Sequence, residues 1–308
     1  MRITRRLSLP GLPHWGAVLS LALAGCAAMP PSAPLTAPPA ELTPQRVSQI
    51  VASPDRSAAD RRNDQRRKPE AMLAFIGLRP GMVALDVSAG GGYTTELLAR
   101  SIGPGGTVYG QSPPRPAARP AAPPVAPEGN SHPSTTSTST SAASLPAPPA
   151  PPAAPRTSAM ALAERSQALR HAGTPAAAIV AVTQSFEDPV PVALAGTQLD
   201  LVTLMFNYHD LGHMGVDRDR MNRALFKALK SGGHYVIADH AGRPGTGIGE
   251  AGSLHRIEEA FLRREVEAAG FRLAAQGDFL RNPQDPRDQN TPNPPMPKDE
   301  FMLKFVKP

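Results

Sequence analysis

The chain has 308 residues, enough for one or two domains, and its 41% apolar residues can supply a core. Lys and Arg exceed Asp and Glu by only 32 to 26, and that excess is too local to form a broad nucleic-acid-binding surface. The 37 prolines are spread so unevenly that part of the chain lies outside a packed fold, and the single cysteine, Cys26, excludes an internal disulfide.

At the amino terminus, Arg2, Arg5 and Arg6 precede an apolar stretch from Gly16 to Ala24. This is the layout of a secretory signal, too short for an ordinary membrane span. Removing residues 1–25 deletes three arginines and no acid, leaving a formal charge of about +3. Leu23-Ala24-Gly25-Cys26 resembles the lipobox of bacterial lipoproteins. That resemblance implies cleavage before Cys26, its lipidation and a membrane anchor in the cell envelope. Ala27, standing where an aspartate would favour retention, leans towards the outer membrane. Residues 26–43 are rich in Pro and Ala and read as a tether; residues 44–308 form the α/β domain.

Gln45 to Arg67 is polar, with helical stretches that read as an amino-terminal cap. Its cluster Arg61-Arg62 and Arg66-Arg67-Lys68 reads as a solvated helix face, the alternative being a cationic arm closing on an anionic ligand. Pro69 and Gly77 bracket a helix over Glu70–Ile76. The run Met82–Val87 predicts a buried parallel strand ending in an acid, Asp86. A glycine turn and a helix over Thr94–Ile102 follow. Thr107–Gly110 is a second strand with Gln111 at its end. The Pro/Ala/Ser/Thr segment within 113–157 is expected to be a disordered insertion. Helix Ala159–His171, strand Ala178–Thr183, strand Leu199–Phe206, helix Arg218–Lys230 and strand His234–Asp239 follow. A long helix Leu254–Ala269 and strands Phe271–Ala275 and Glu300–Val306 complete the pattern. Strands alternating with helices and closing in a hairpin-like pair predict a single doubly wound, Rossmann-like α/β domain.

The glycine turn fits neither a dinucleotide loop, whose third glycine would fall at Thr95, nor a phosphate-binding P-loop, because no Gly-Lys-Ser/Thr follows. Asp86-Val-Ser88-Ala-Gly90-Gly91-Gly92, together with Leu229-Lys230-Ser231-Gly232-Gly233 before the fifth strand, resembles class I S-adenosylmethionine-dependent methyltransferases. The resemblance implies a seven-stranded sheet with an antiparallel last strand and S-adenosyl-L-methionine as cofactor. Asp86, Ser88, Gly90, Gly91 and Gly92 would then surround the cofactor's methionine part. Gln111 stands where the family usually has an acid for the ribose, and Glu187 or Asp188 would face the adenine amine. Asn207 lines the same pocket. Ser88 and Gln111 both depart from the family pattern. More narrowly, Arg67-Lys68-Pro69, Gly91-Gly92-Tyr93-Thr94, Tyr208-His209-Asp210, Asp239-His240 and Leu254-His255-Arg256 resemble a group of predicted bacterial methyltransferases, many with export signals.

Methyl transfer needs an acceptor positioned in line with the sulfonium and, where required, a base. Tyr208, His209, Asp210, Asp239 and His240 fall at the ends of the fourth and fifth strands and are the catalytic candidates; His255 can approach from the following helix. No metal site is assigned. A rival reading takes His209-Asp210-Leu211-Gly212-His213 as a variant of H-E-x-x-H, with His209 and His213 binding zinc in a hydrolase. A non-catalytic lipoprotein that keeps the fold as a binding module is a further alternative, because S-adenosylmethionine is made in the cytoplasm and the chain carries an export signal.

Overall fold

The computed structural model describes residues 40–115, 156–194, 199–292 and 294–308. The signal segment, Cys26, nearly all of the tether and most of the 113–157 insertion lie outside the described residues.

Strand-forming runs pair as expected from their apolar character. They are β1 (Val83–Val87), β2 (Thr107–Ser112), β3 (Ala178–Thr183), β4 (Leu199–Met205), β5 (Leu229–His240), β6 (Arg272–Gly277) and β7 (Glu300–Val306). They form one sheet in the order β3-β2-β1-β4-β5-β7-β6. All neighbours are parallel except β7, which runs antiparallel to β5 and β6. This is an α/β, doubly wound, seven-stranded mixed sheet of the Rossmann-like type. The chain moves outward from β1 to β3, returns to β4 beside β1, and then moves out the other way. The crevice between the carboxyl ends of β1 and β4 is therefore the topological switch point.

Side-chain alternation divides the core into two layers. Ala84, Leu201, Val236 and Ala238 face a layer built with α1 (Pro44–Val51), α3 (Pro69–Ile76) and α4 (Tyr93–Ile102). Leu85, Val87, Val202, Leu204 and Ile237 face the opposite layer. That layer is built with α6 (Tyr208–His213), α7 (Arg218–Ala228) and α9 (Glu259–Ala268). Helices α2 (Ala58–Arg67) and α5 (Ser158–His171) complete the first side, and the short α8 (Ala251–Leu254) precedes α9.

Three local expectations are corrected. The second strand extends to Ser112, so Gln111 lies within it rather than beyond it. The helix before β5 ends at Ala228. Ser231–Gly233 is then a bulge inside β5, where the register on β4 jumps between Leu199 and Leu201. The long helix over Leu254–Ala269 is two helices separated at His255, which has a left-handed φ of +53°.

The break follows from hydrogen bonding. Ile257 N donates to His240 O (3.0 Å), and Gly242 N donates to Ile257 O (2.8 Å), so this segment runs alongside the end of β5 instead of continuing as helix. Arg256, fully buried, fixes it there. Its Nε and Nη2 donate to Gln289 O, Nη1 donates to Ala241 O, and the Asp285 carboxylate takes Nη1 and Nη2. All five guanidinium N–H groups thereby have an acceptor. Truncating one partner of a buried, fully bonded pair leaves the other charge stranded. Arg256→Ala is expected to cost about 3–5 kcal/mol of stability in chemical denaturation. A loss below about 1 kcal/mol, within the range of an exposed ion pair, would show that this arginine does not anchor the loop.

Candidate active site

β1 delivers Asp86 to the switch point with its side chain on the α4 face. Thr95 Oγ1 of α4 and Thr203 Oγ1 of β4 donate to its two carboxylate oxygens at 2.6 and 2.8 Å. Burial raises its pKa to about 6, opposed by those two hydroxyls and by the charge of Arg67. Beyond it, Ser88 has a left-handed φ of +59°, the conformation the family's glycine would supply at this position. Ser88 holds it through two bonds. Its N–H donates to Gln111 Oε1 (3.0 Å), and its hydroxyl donates to Asn207 Oδ1 (2.8 Å) across the crevice. Gly90 and Gly92 also lie at positive φ. A Cβ at Gly92 would stand 2.6 Å from Leu162 Cδ2 of α5, so packing as well as backbone conformation requires glycine there.

Gln111 is fully buried, and its Nε2 donates to Gln184 O (2.7 Å) while its Oε1 accepts from Ser88. Both ends of the amide thus tie β2 to the loops after β1 and β3, one N–H and one oxygen lone pair being used. Glu187 sits half-buried in the turn after β3 and Asp188 is exposed.

On the other side of the crevice, Asn207, at the amino end of α6, bridges the two halves of the site. Its Nδ2 donates to Asp210 Oδ2 at 2.9 Å while its Oδ1 takes the Ser88 hydroxyl. His209 is buried against Asp239 of β5. Its backbone N–H donates to Oδ2 (2.8 Å), and its ring Nδ1 pairs with Oδ1 (2.6 Å). His209 Nε2 lies 3.1 Å from Asp210 Oδ1, and His255 Nδ1 lies 2.9 Å from that same oxygen. Burial disfavours the charged His209 ring, but Asp239 and Asp210 outweigh burial and hold its pKa above the usual value. His240, whose ring centroid is 5.4 Å from that of His209, is shifted the other way. Burial lowers its pKa against the pull of Glu300 and Asp239.

Tyr208 is a correction. It starts α6 with its side chain turned into the core beneath the sheet, where Asn222 Nδ2 donates to its hydroxyl (2.8 Å) and the hydroxyl donates to Glu265 (3.1 Å). It is absent from the crevice because a helix beginning directly after β4 sends adjacent residues to different faces. The His209/His213 pairing is likewise not formed. The segment is helical, as that pairing requires, but His213 is exposed and packs over Gly252 of α8, and Gly212 is where Ile248 packs against α6. The third residue beside His209 and Asp210 is His255, delivered by the break after α8.

The residue that sequence reasoning undervalued is Arg67. Its guanidinium carbon lies 3.7 Å from the centroid of the Phe206 ring, and its buried Nε has no hydrogen-bond partner. Burial, with Arg66 beside it, lowers its pKa to about 10. Arg66 reaches Glu300 (2.9 Å) and Lys68 reaches Phe279 O (2.5 Å), but both stay exposed with Arg61 and Arg62, as a solvated face requires; of the cluster only Arg67 turns inward, onto the end of β4. The Arg-Lys-Pro sequence, which ends one helix and starts the next, was the available signal. A cleft of about 500 Å³ opens beside this edge, lined by Arg66, Lys68, Met296, Lys298 and Glu300 among others. A larger one, about 670 Å³, flanks Gly90 and Gly91 between α2 and α5.

Two outcomes are expected. The folded Asp86 carboxyl ionises near pH 6, whereas in the unfolded chain it ionises near 4. Between those values the folded state keeps a proton that the unfolded state releases. The stability from this group is therefore full below about pH 4 and lost as pH rises through about 6. Asp86→Asn is expected to raise Tm over wild type at pH 8 but not at pH 4, and a difference that does not change with pH would contradict this account. Tyr208→Phe is expected to cost about 1–2 kcal/mol in denaturant melts by stranding the Asn222 amide. Because Tyr208 lies outside the crevice, ligand affinity there is expected to be unchanged.

Compared with known proteins, the chain matches no family model and no curated protein. Among solved structures it is similar to a SAM-dependent methyltransferase from Aquifex aeolicus, with 14% identity over 87% of this chain and 100% of that one and a TM-score of 0.47. It is also similar to a TehB-like SAM-dependent methyltransferase from Corynebacterium glutamicum, with 14% identity, coverage of 82% and 99%, and a TM-score of 0.41. A third, a S-adenosylmethionine-dependent methyltransferase from Clostridium acetobutylicum, is 8% identical with coverage of 85% and 96% and a TM-score of 0.43. At these values no residue role passes from those chains to this one.

Proposed function

We propose that this protein is an S-adenosylmethionine-dependent methyltransferase acting on a small-molecule acceptor. The observation that carries the reading is the turn Asp86–Gly92 at the switch point between β1 and β4, where an open α/β sheet binds its ligands. In this reading Gly90 and Gly91 admit the cofactor, Asp86 offsets its positive charge, and the unpartnered Nε of Arg67 meets its carboxylate. Glu187 is available to the adenine amine.

The acceptor enters from the cleft beside Glu300, whose volume suits a small molecule and whose lining of Arg66, Lys68 and Lys298 favours an anionic one. S-adenosylmethionine held at the Asp86–Gly92 turn would supply an electrophilic methyl group to the acceptor and would be left as S-adenosylhomocysteine. His240, kept neutral by burial, takes the acceptor's proton. His209, held by Asp239, orients this edge. We further propose that Cys26 is lipidated and that the domain is tethered to the envelope, the outer membrane being favoured.

A second reading, a non-catalytic binding module in the same fold, is favoured by one observation: Gln111, at the ribose position, is fully buried and bonded at each end of its amide to the protein itself. Calorimetric titration with S-adenosylmethionine and S-adenosylhomocysteine separates the two. Methyltransferase function predicts micromolar binding that weakens at least tenfold in Arg67→Leu. Absence of binding by folded protein would overturn it in favour of the second reading.

A further inference from the structure

His209 Nε2, Asp210 Oδ1 and His255 Nδ1 converge at the carboxyl edge of β4 and β5. Among the described residues they are the one cluster of His, Cys, Asp and Glu whose ligand atoms come close enough together to hold a metal. We propose that these three side chains bind a first-row divalent transition-metal ion.

The argument begins with Asp239. It is fully buried and accepts from both the backbone N–H and the ring Nδ1 of His209. A buried carboxylate needs donors, so Nδ1 carries the proton and Nε2 of the neutral ring presents its lone pair outward. That lone pair is 3.1 Å from Asp210 Oδ1, an acceptor. A divalent ion seated between them would take both lone pairs at once. Ligand bonds of about 2.1 Å at right angles put neighbouring donor atoms about 3.0 Å apart. The observed separations from Asp210 Oδ1 are 3.1 Å to His209 and 2.9 Å to His255.

The surroundings have the features of a built site. Asp239 behind His209 forms a carboxylate–histidine pair that fixes the ring and raises its basicity. Asn207 Nδ2 holds Asp210 Oδ2 at 2.9 Å and so leaves Oδ1 for the ion. An entry path is open, because the His255 and Asp210 side chains are 43% and 28% exposed. Two imidazoles and one carboxylate select a transition ion such as Mn²⁺, Fe²⁺, Co²⁺ or Zn²⁺ over Mg²⁺, which prefers all-oxygen shells. Three protein ligands leave positions open for water or for an oxygen of a bound molecule. The site stands whether or not the protein transfers methyl groups.

The test is calorimetric titration of the full chain with Mn²⁺, Co²⁺ and Mg²⁺, with the Co²⁺ visible spectrum recorded alongside. One site per chain is expected for Mn²⁺ and Co²⁺ and none for Mg²⁺. His255→Ala removes a half-exposed side chain and leaves Asp239 and His209 in place, so it is expected to fold, as circular dichroism would confirm. It is expected to weaken binding at least a hundredfold and abolish the Co²⁺ bands, while His213→Ala leaves both unchanged. If wild-type protein takes up no Mn²⁺ or Co²⁺, or if His255→Ala binds as wild type does, the assignment is wrong. Should His255→Ala not fold, Asp210→Asn, nearly isosteric and hydrogen-bonded to Asn207, carries the same expectations.

Discussion

Asp239 is a carboxylate taken wholly out of water at the end of β5, and its place there depends on the N–H groups aimed at it. The backbone N–H and ring of His209 supply two, and the backbone N–H of His240 supplies a third at 2.8 Å. Removing a charge from water costs several kcal/mol unless such partners are fixed. The same contacts that make the burial tolerable also lock the start of α6 onto β5. They set the rotation of His209, and so decide which ring nitrogen faces the crevice. Fold and site meet in this one residue.

From that fixed point, hydrogen bonds lead across the crevice to the glycine turn. Asp210 holds Asn207, Asn207 accepts from Ser88, and Ser88 donates its amide to Gln111. The two departures from the family pattern, Ser88 and Gln111, are therefore bonded to each other. A serine in the left-handed region costs about 1 kcal/mol or more relative to glycine. Here its hydroxyl provides a link from the β1 loop to the β4 edge that glycine cannot make.

Helix α2, whose one buried residue is Asp60, is attached by charge rather than by apolar contact. Arg56 meets Asp64 through both nitrogens, and Asp64 also takes the Tyr93 hydroxyl. Arg165 joins Asp60 of α2 to Glu96 of α4, and Arg100 joins Asp55 to Glu96. Several of these pairs share a member, so ordering one side chain serves two bridges. This network holds α2 across the top of the sheet and carries Arg67 to Phe206. The basic helix face read along the sequence is solvated except at Arg67, which turns inward onto Phe206.

Local chemistry was enough to determine where the strands lie and the glycine turn at the end of β1; the order of the sheet came from the tertiary structure. Burial imposes apolar runs on central strands, and a tight turn beside a ligand edge demands glycine. Asp86, Asp239 and His209 were legible because strand ends in such sheets face the binding crevice. What only the tertiary structure decided was direction and partnership. Tyr208 and His209 are adjacent in sequence, yet one enters the core and the other the crevice, because α6 begins directly after β4. His213, four residues on, suits a metal pair by helical spacing, but the docking of α8 carries it to the surface and brings in His255. The break that delivers His255 depends on Arg256 finding four acceptor oxygens, two on Asp285 and the others the backbone carbonyls of Ala241 and Gln289. No local pattern encodes such bonds, since they exist only after distant segments have packed together.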